Sequence, residues 1–137
     1  MTVNKDRVEL FAAALESDGF KQCKGRLRSQ AWTSWPPSEA NLVEQHCALG
    51  VATQVALDNG LREELQAWPW GVEAVWRGGS LHPLVAEWYG WDRHNPELGI
   101  NLGRGYEDEN IASANDAGLS FWDIAQAVRA KYLKEGS

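Results

Sequence analysis

The stretch 38–60, SEANLVEQHCALGVATQVALDNG, decides how the rest of the chain must fold. Ser38 stands as a helix N-cap ahead of Glu39, because a short hydroxyl side chain can accept from the otherwise orphaned first-turn amides. Leu42, Val43, His46, Cys47, Leu49, Val51 and Val55 then spread a wide apolar surface until Asn59-Gly60 ends it. A helix apolar over so much of its circumference is predicted to be the central, most buried one.

Working outward toward the N-terminus, Val8, Phe11, Ala12 and Leu15 recur at spacings of three and four, so residues 6–17 read as an amphipathic helix with Gly19 as its stop. Between them and Ser38, residues 19–37 have no helical period and read as loop or short extended structure. On the C-terminal side, Leu61, Leu65 and Trp68 mark a short helix that Pro69 terminates. A short strand fits 70–76 through the β-branched Val72 and Val75. Ser80 is read as the cap of a short helix containing Pro83, Leu84, Val85 and Trp88 and closed by Gly90. Residues 91–110 form a long loop bearing Asn95-Pro96, Gly99, Gly103 and Gly105. Ser120, with Asp123 three residues on, opens a last helix whose buried face is Phe121, Ile124, Ala125, Val128 and Tyr132. The expected fold is mainly α: one small domain over residues 1–137, of about five helices with long Gly- and Trp-bearing loops, and with room for a short β-hairpin.

With 137 residues, 44% of them hydrophobic, the chain can bury a core without a disulfide or a metal. Thirteen basic against nineteen acidic residues leave a net charge of -6, which argues against a protein that coats nucleic acid through its phosphates. No uncharged run approaches the ~20 residues that cross a bilayer. The opening Met1-Thr2-Val3-Asn4-Lys5-Asp6-Arg7 runs straight into the amphipathic pattern without a secretory core. Cys23 and Cys47 are the only cysteines, too few for a disulfide framework and compatible with two unbridged thiols in a reducing cytosol. A cytoplasmic protein without membrane contact is therefore expected.

Eight tryptophans are many for a domain of this size. Trp88 shares a helical stripe with Leu84 and Val85 and is read as core. Trp32, Trp35, Trp70 and Trp91 stand beside Pro or Gly or in loops, where a flat indole with one N–H donor can serve equally as core or as a stacking anchor. Lys21, Lys24, Arg26 and Arg28 form a cationic run around Gly25, and an arginine fork can hold a phosphate by two hydrogen bonds. Arg77-Gly78-Gly79-Ser80, ahead of a helix, can present amides, a hydroxyl and the positive helix end to an anion, although it is not a GxxxxGK[ST] loop. Gly103-Arg104-Gly105 is similar and lacks the third glycine of a dinucleotide fingerprint. Each run is equally readable as a turn or a solvated face. His46, Cys47, Cys23, His82 and His94 show no metal-ligand spacing, the stripe around Cys47 favours a buried thiol, and Glu63-Glu64 and the run 107–109 read as solvated carboxylates. No catalytic residue, metal or cofactor is assigned.

Four phrases occur in order: Gly25-Arg26-Leu27-Arg28, Cys47-Ala48-Leu49-Gly50-Val51-Ala52, Leu81-His82-Pro83-Leu84-Val85-Ala86-Glu87-Trp88, and Asn115-Asp116-Ala117-Gly118-Leu119-Ser120-Phe121 with Ile124-Ala125. Together they resemble a family of small uncharacterised phage and prophage proteins, over most of the chain from Gln22 onward. Those relatives usually carry Cys-Cys-Leu-Gly-Val and Leu-Pro-x-x-Val. Here Ala48 replaces one cysteine and His82 precedes the proline, which tells against a cysteine pair as essential chemistry in this member. The resemblance implies phage origin, action in the bacterial cytoplasm and an accessory role, and it carries no catalytic residues.

These readings lead to a binding protein without turnover for a small anionic, nucleotide-like ligand, with a host immune signal as the biological candidate. Lys24, Arg26, Arg28, Arg77, Gly78, Gly79, Ser80 and Arg104 would hold the anion, while Trp32, Trp35 and Trp91 would stack on the base. The alternatives are an inhibitor or adaptor that binds a host protein through a Trp- and Arg-rich patch, and an enzyme of unrecognised type. An exposed Trp cluster is also compatible with a homo-oligomer seam.

Overall fold

Asn4 caps the first helix by accepting the Arg7 amide at 3.2 Å, and α1 (Lys5–Glu16) buries the expected face, Val8, Phe11, Ala12 and Leu15. The computed structural model describes residues 3–17, 19–23, 27–32, 42–69, 71–77, 80–93, 95–100 and 109–133. After α1, the stretch read as loop or extended chain supplies two strands, β1 (Lys21–Gln22) and β2 (Arg28–Trp32).

The decisive stretch divides. Residues Leu42–His46 are a strand, β3, and the helix α2 begins only at Ala48 and runs to Ala56, with Cys47 at its cap position. This corrects the continuous helix expected from Ser38. A segment of only five residues fits either period, and here pairing decides: β3 lies between its neighbours in the order β1-β3-β2, parallel to β1 and antiparallel to β2 from Arg28↔His46 to Trp32↔Leu42. Two ladders satisfy backbone groups that a helical turn would otherwise have paired internally. Ser38 itself lies outside the described residues.

The remainder of the expectation holds for α2, which is buried nearly all round, from Ala48 through Thr53 and at Val55 and Ala56. Its Gly50 is required by contact: a Cβ there would sit 1.8 Å from the Leu27 carbonyl oxygen. The chain kinks at Asn59-Gly60, where Gly60 has φ 118, and resumes as the short α3 (Arg62–Leu65). Leu61 and Leu65 are buried, but Trp68, expected on the same stripe, is 42% exposed because the helix has already ended.

Residues Val72–Trp76 form a tight 3-10 turn rather than the expected strand, entered through Gly71 at φ 65. Helix α4 (Pro83–Tyr89) starts with Pro83 in its first turn and closes on Gly90 in the left-handed conformation, as read from sequence. Its cap is His82, whose Nδ1 accepts the Leu84 amide at 3.2 Å, and not Ser80. The two ends of the long loop meet through a Glu97↔Asn110 bridge, and Asn110 and Ser113 form a reciprocal capping box that opens α5 (Ile111–Asp116), a helix that the apolar pattern did not reveal. Ser120 caps α6 (Phe121–Val128) by accepting the Asp123 amide at 3.1 Å, with Phe121, Ile124, Ala125 and Val128 buried as expected, whereas Tyr132, expected on the same face, lies past the end of α6 and is only half-buried. Arg129 pairs with both Glu9 and Glu16, and Gln126 donates to Glu16, which seals α6 along α1. The architecture is mainly α, with a small three-stranded sheet at one side of a single aliphatic and aromatic core. Among the described residues no helix is long and apolar enough to cross a membrane.

Candidate functional site

Segments distant in sequence, 22–23, the start of α2 and α5, meet at Asn115, which is fully buried. Its Oδ1 accepts from Gln22 Nε2 at 2.9 Å and from the Ala48 amide at 3.0 Å, while its Nδ2 donates to the Cys23 carbonyl at 2.8 Å. Leu27 accepts the Cys47 amide at 3.3 Å and rests against Gly50. Both the oxygen and the nitrogen of one carboxamide are thus engaged in joining the β1 end of the chain, the start of α2 and α5. Their role is structural: the contact holds backbone segments together inside the core.

Of the two cations of the basic run that lie among the described residues, Lys21 is exposed on β1, whereas Arg28 does not stand open. Its guanidinium lies 4.4 Å from the centroid of the Trp76 ring, 3.1 Å from Glu73 and 3.6 Å from Glu44. Two carboxylates against one guanidinium leave this spot without excess positive charge. Behind Trp76 lies His46, 5% exposed, with its ring edge-on to Phe20 and inclined to Trp76 at centroid separations of 5.1 and 5.7 Å. Neither imidazole nitrogen finds a hydrogen-bond partner among the described residues. Burial holds the imidazole below its ordinary pKa, with Glu44 pulling the other way and Arg28 adding to the depression.

Arg77 and Ser80 are exposed. The helix they were read to precede starts three residues after Ser80, and its first free amide is taken by the His82 ring, so the anion cradle does not form as the sequence reading has it. Gly78 and Gly79 lie outside the described residues, as do Lys24, Arg26, Trp35, Trp70, His94 and Arg104. Trp32 ends β2, and its side chain is likewise outside them.

Trp91 has turned inward. Gly90 reverses the chain at φ 79, and the indole stacks on Tyr89 at 4.4 Å and 23°, meets Phe11 edge-on and leaves only 4% of the residue exposed. It also lines a cleft of about 290 Å³ together with Val3, Asp92, Arg93, Glu97, Lys131 and Tyr132. Its indole N–H has no acceptor among the described residues. At the same cleft Arg93 pairs with Glu97, Tyr132 Oη donates to the Glu97 carbonyl at 2.6 Å, and no ion pair among the described residues engages Lys131. Of the residues expected to bind a ligand, the structure therefore brings Trp91 to a cleft. Its neighbours Arg93, Lys131 and Tyr132 were missed, because they are scattered in sequence and only packing of the last turn against the 91–97 loop unites them.

Trp88, read as core, is 8% exposed beneath Arg7, whose guanidinium lies 4.4 Å from the ring centroid and donates to the Trp88 carbonyl at 2.8 Å. Glu109 is 1% exposed, a correction to the reading of residues 107–109 as a solvated run. It is drawn in because its backbone pairs with Leu98 and Ile100. No group of three or more His, Cys, Asp or Glu side chains gathers into a metal site among the described residues. No protein-family model, characterised protein or solved structure matches this chain.

Proposed function

We propose that this chain is a binding protein without turnover that captures a small anionic, nucleotide-like ligand in the cleft between the 91–97 loop and the last helical turn. The single observation that carries this reading is a cleft of about 290 Å³ that gathers Trp91, Tyr132 and Lys131. The volume is at the lower edge of the ~300–1,000 Å³ common for small-molecule sites, so the ligand is of mononucleotide size or smaller. Lys131 supplies the cation for its anionic group, and Tyr132 and Trp91 supply aromatic walls. The resemblance to phage and prophage accessory proteins gives capture a purpose, since removing a host messenger from solution requires affinity alone.

Calorimetry with a panel of cyclic and linear nucleotides tests the reading. The expected result is saturable heat from at least one member, weakened on the order of tenfold in Lys131→Ala, about 1.4 kcal/mol, and less affected in Arg28→Ala. No heat from any member overturns it. Mass spectrometry of the ligand after incubation separates capture from catalysis, because turnover changes its mass.

A second reading rests on Trp122 and Trp68, which are 58% and 42% exposed. Exposed indoles are frequent anchors of protein interfaces, and they favour the adaptor that binds a host protein. A stoichiometric partner retained by the wild type and lost in Trp122→Ala would establish that role in place of ligand capture.

A further inference from the structure

The parallel pairing of β1 with β3 sets Lys21 opposite Gln45 and Gln22 opposite His46. One step further the Cys23 amide still donates to the His46 carbonyl at 2.9 Å, so the same register places Cys23 beside Cys47. At the last intact rung neighbouring strands lie about 4.7–4.9 Å apart, and a disulfide spans Cα separations of about 4.4–6.8 Å, so a pair one residue beyond that rung has room to diverge and still be bridged. Paired residues of a parallel ladder also point to the same side of the sheet. The Cys47 thiol accordingly feels Cys23 as an electrostatic neighbour. The next rung would be an Ala48 N–H bond to the Cys23 carbonyl. Instead the Asn115 carboxamide is inserted, accepting from Ala48 and donating to Cys23. The two thiols therefore stand at the fork where the ladder parts, Cys23 partly exposed and Cys47 buried, and they are not bonded to each other.

We propose that Cys23 and Cys47 form a redox-active dithiol, which a low-molecular-weight disulfide such as oxidised glutathione converts into an intramolecular bridge. Cys23, the accessible member, loses its proton and its sulfur attacks one sulfur of the oxidant, forming a mixed disulfide and expelling one glutathione thiolate. Cys47 then loses its proton and attacks Cys23 Sγ, expelling the second thiolate. Each thiolate takes up a proton, so two protein thiols are oxidised and one disulfide is reduced to two glutathione thiols. The second step needs no access from solvent. Burial pushes the Cys47 thiol up to about 11, so ring closure is the slow step and accelerates as the pH is raised.

The reduced full-length protein is equilibrated with oxidised glutathione at about pH 8.5, quenched with acid, digested and read by mass spectrometry. The expected product is a Cys23–Cys47 cross-linked peptide lighter by two hydrogens, which dithiothreitol returns to thiols. Cys47→Ser is expected to stop at the glutathione adduct on Cys23. A wild type that retains the adduct, stays fully reduced, or links cysteines only between chains overturns the proposal. The decisive reading is on the unaltered protein, so it does not depend on whether Cys47→Ser folds.

Discussion

Asn115 stabilises this fold through polar satisfaction. Truncating it removes the acceptor of the buried Ala48 N–H and the donor to the part-buried Cys23 carbonyl, at roughly 1–3 kcal/mol for a buried group left unsatisfied. Asn115→Ala is expected to lower the unfolding free energy by about 3 kcal/mol, measured by urea denaturation. Gly50→Ala is expected to cost at least about 2 kcal/mol, because the added methyl meets backbone atoms of Leu27 at 1.8 and 2.8 Å, which have no rotamer through which to yield. His46 acts in the opposite sense. Its two ring nitrogens are buried without partners, so His46→Phe, which keeps an aromatic ring between Phe20 and Trp76, is expected to raise stability by roughly 1 kcal/mol at neutral pH. The same residue sets a pH dependence. The unfolded chain takes up a proton near the ordinary imidazole value of 6.5, whereas the folded chain resists until lower pH. Stability is therefore complete above about 6.5 and falls as the pH drops below it. Thermal melts across that window should show the wild type weakening relative to His46→Phe, and parallel curves would contradict the assignment.

At the scale of elements, periodicity read the helices at both ends correctly and misread the middle. For α1 and α6, each with one stripe and a side-chain cap, the pattern and the cap agree, and little else can be built from them. In 42–46 the same apolar spacing suits a helix, and only the presence of two neighbouring strands turns it into one. The helix α5 escaped because its six residues carry a capping box but too short an apolar stripe. His82 was read as a mere insertion before the proline, yet as the cap of α4 it takes the place expected for Ser80. Between α1 and α6 the ion pairs of Arg129 with Glu9 and Glu16 lie at the surface. Such pairs usually contribute ~0–1 kcal/mol. Arg129→Ala should therefore destabilise by less than about 1 kcal/mol, and the difference from wild type should shrink in high salt, read from denaturation with and without added sodium chloride.

Across the whole molecule, indoles and cations do meet, but at separate places. Arg7 covers Trp88, Arg28 covers Trp76, and Trp91 is packed against Tyr89 with Lys131 at its cleft. This distribution has an optical consequence. Iodide should quench the fluorescence of Trp122 and Trp68 and spare Trp88 and Trp91. Trp122→Phe is thus expected to remove much of the quenchable emission at little cost in stability, while Trp91→Phe leaves quenching nearly unchanged. The expected single cationic cleft was legible only in part, since residue type announces that a guanidinium or indole is available and says nothing about what neutralises or covers it.

The sequence by itself determined the mainly helical class, the positions of the terminal helices, the breaks at Gly60 and Gly90 and the choice of α2 as the innermost helix, because these follow from local periodicity and backbone freedom. Only the tertiary structure decided that 42–46 would be a strand, that Asn115 would replace a rung between Cys23 and Ala48, and that Trp91 would share a cleft with Lys131. Each of those outcomes depends on a partner distant along the chain. Hydrogen-bond satisfaction and burial are settled between partners in space, and a linear pattern records only one of the two.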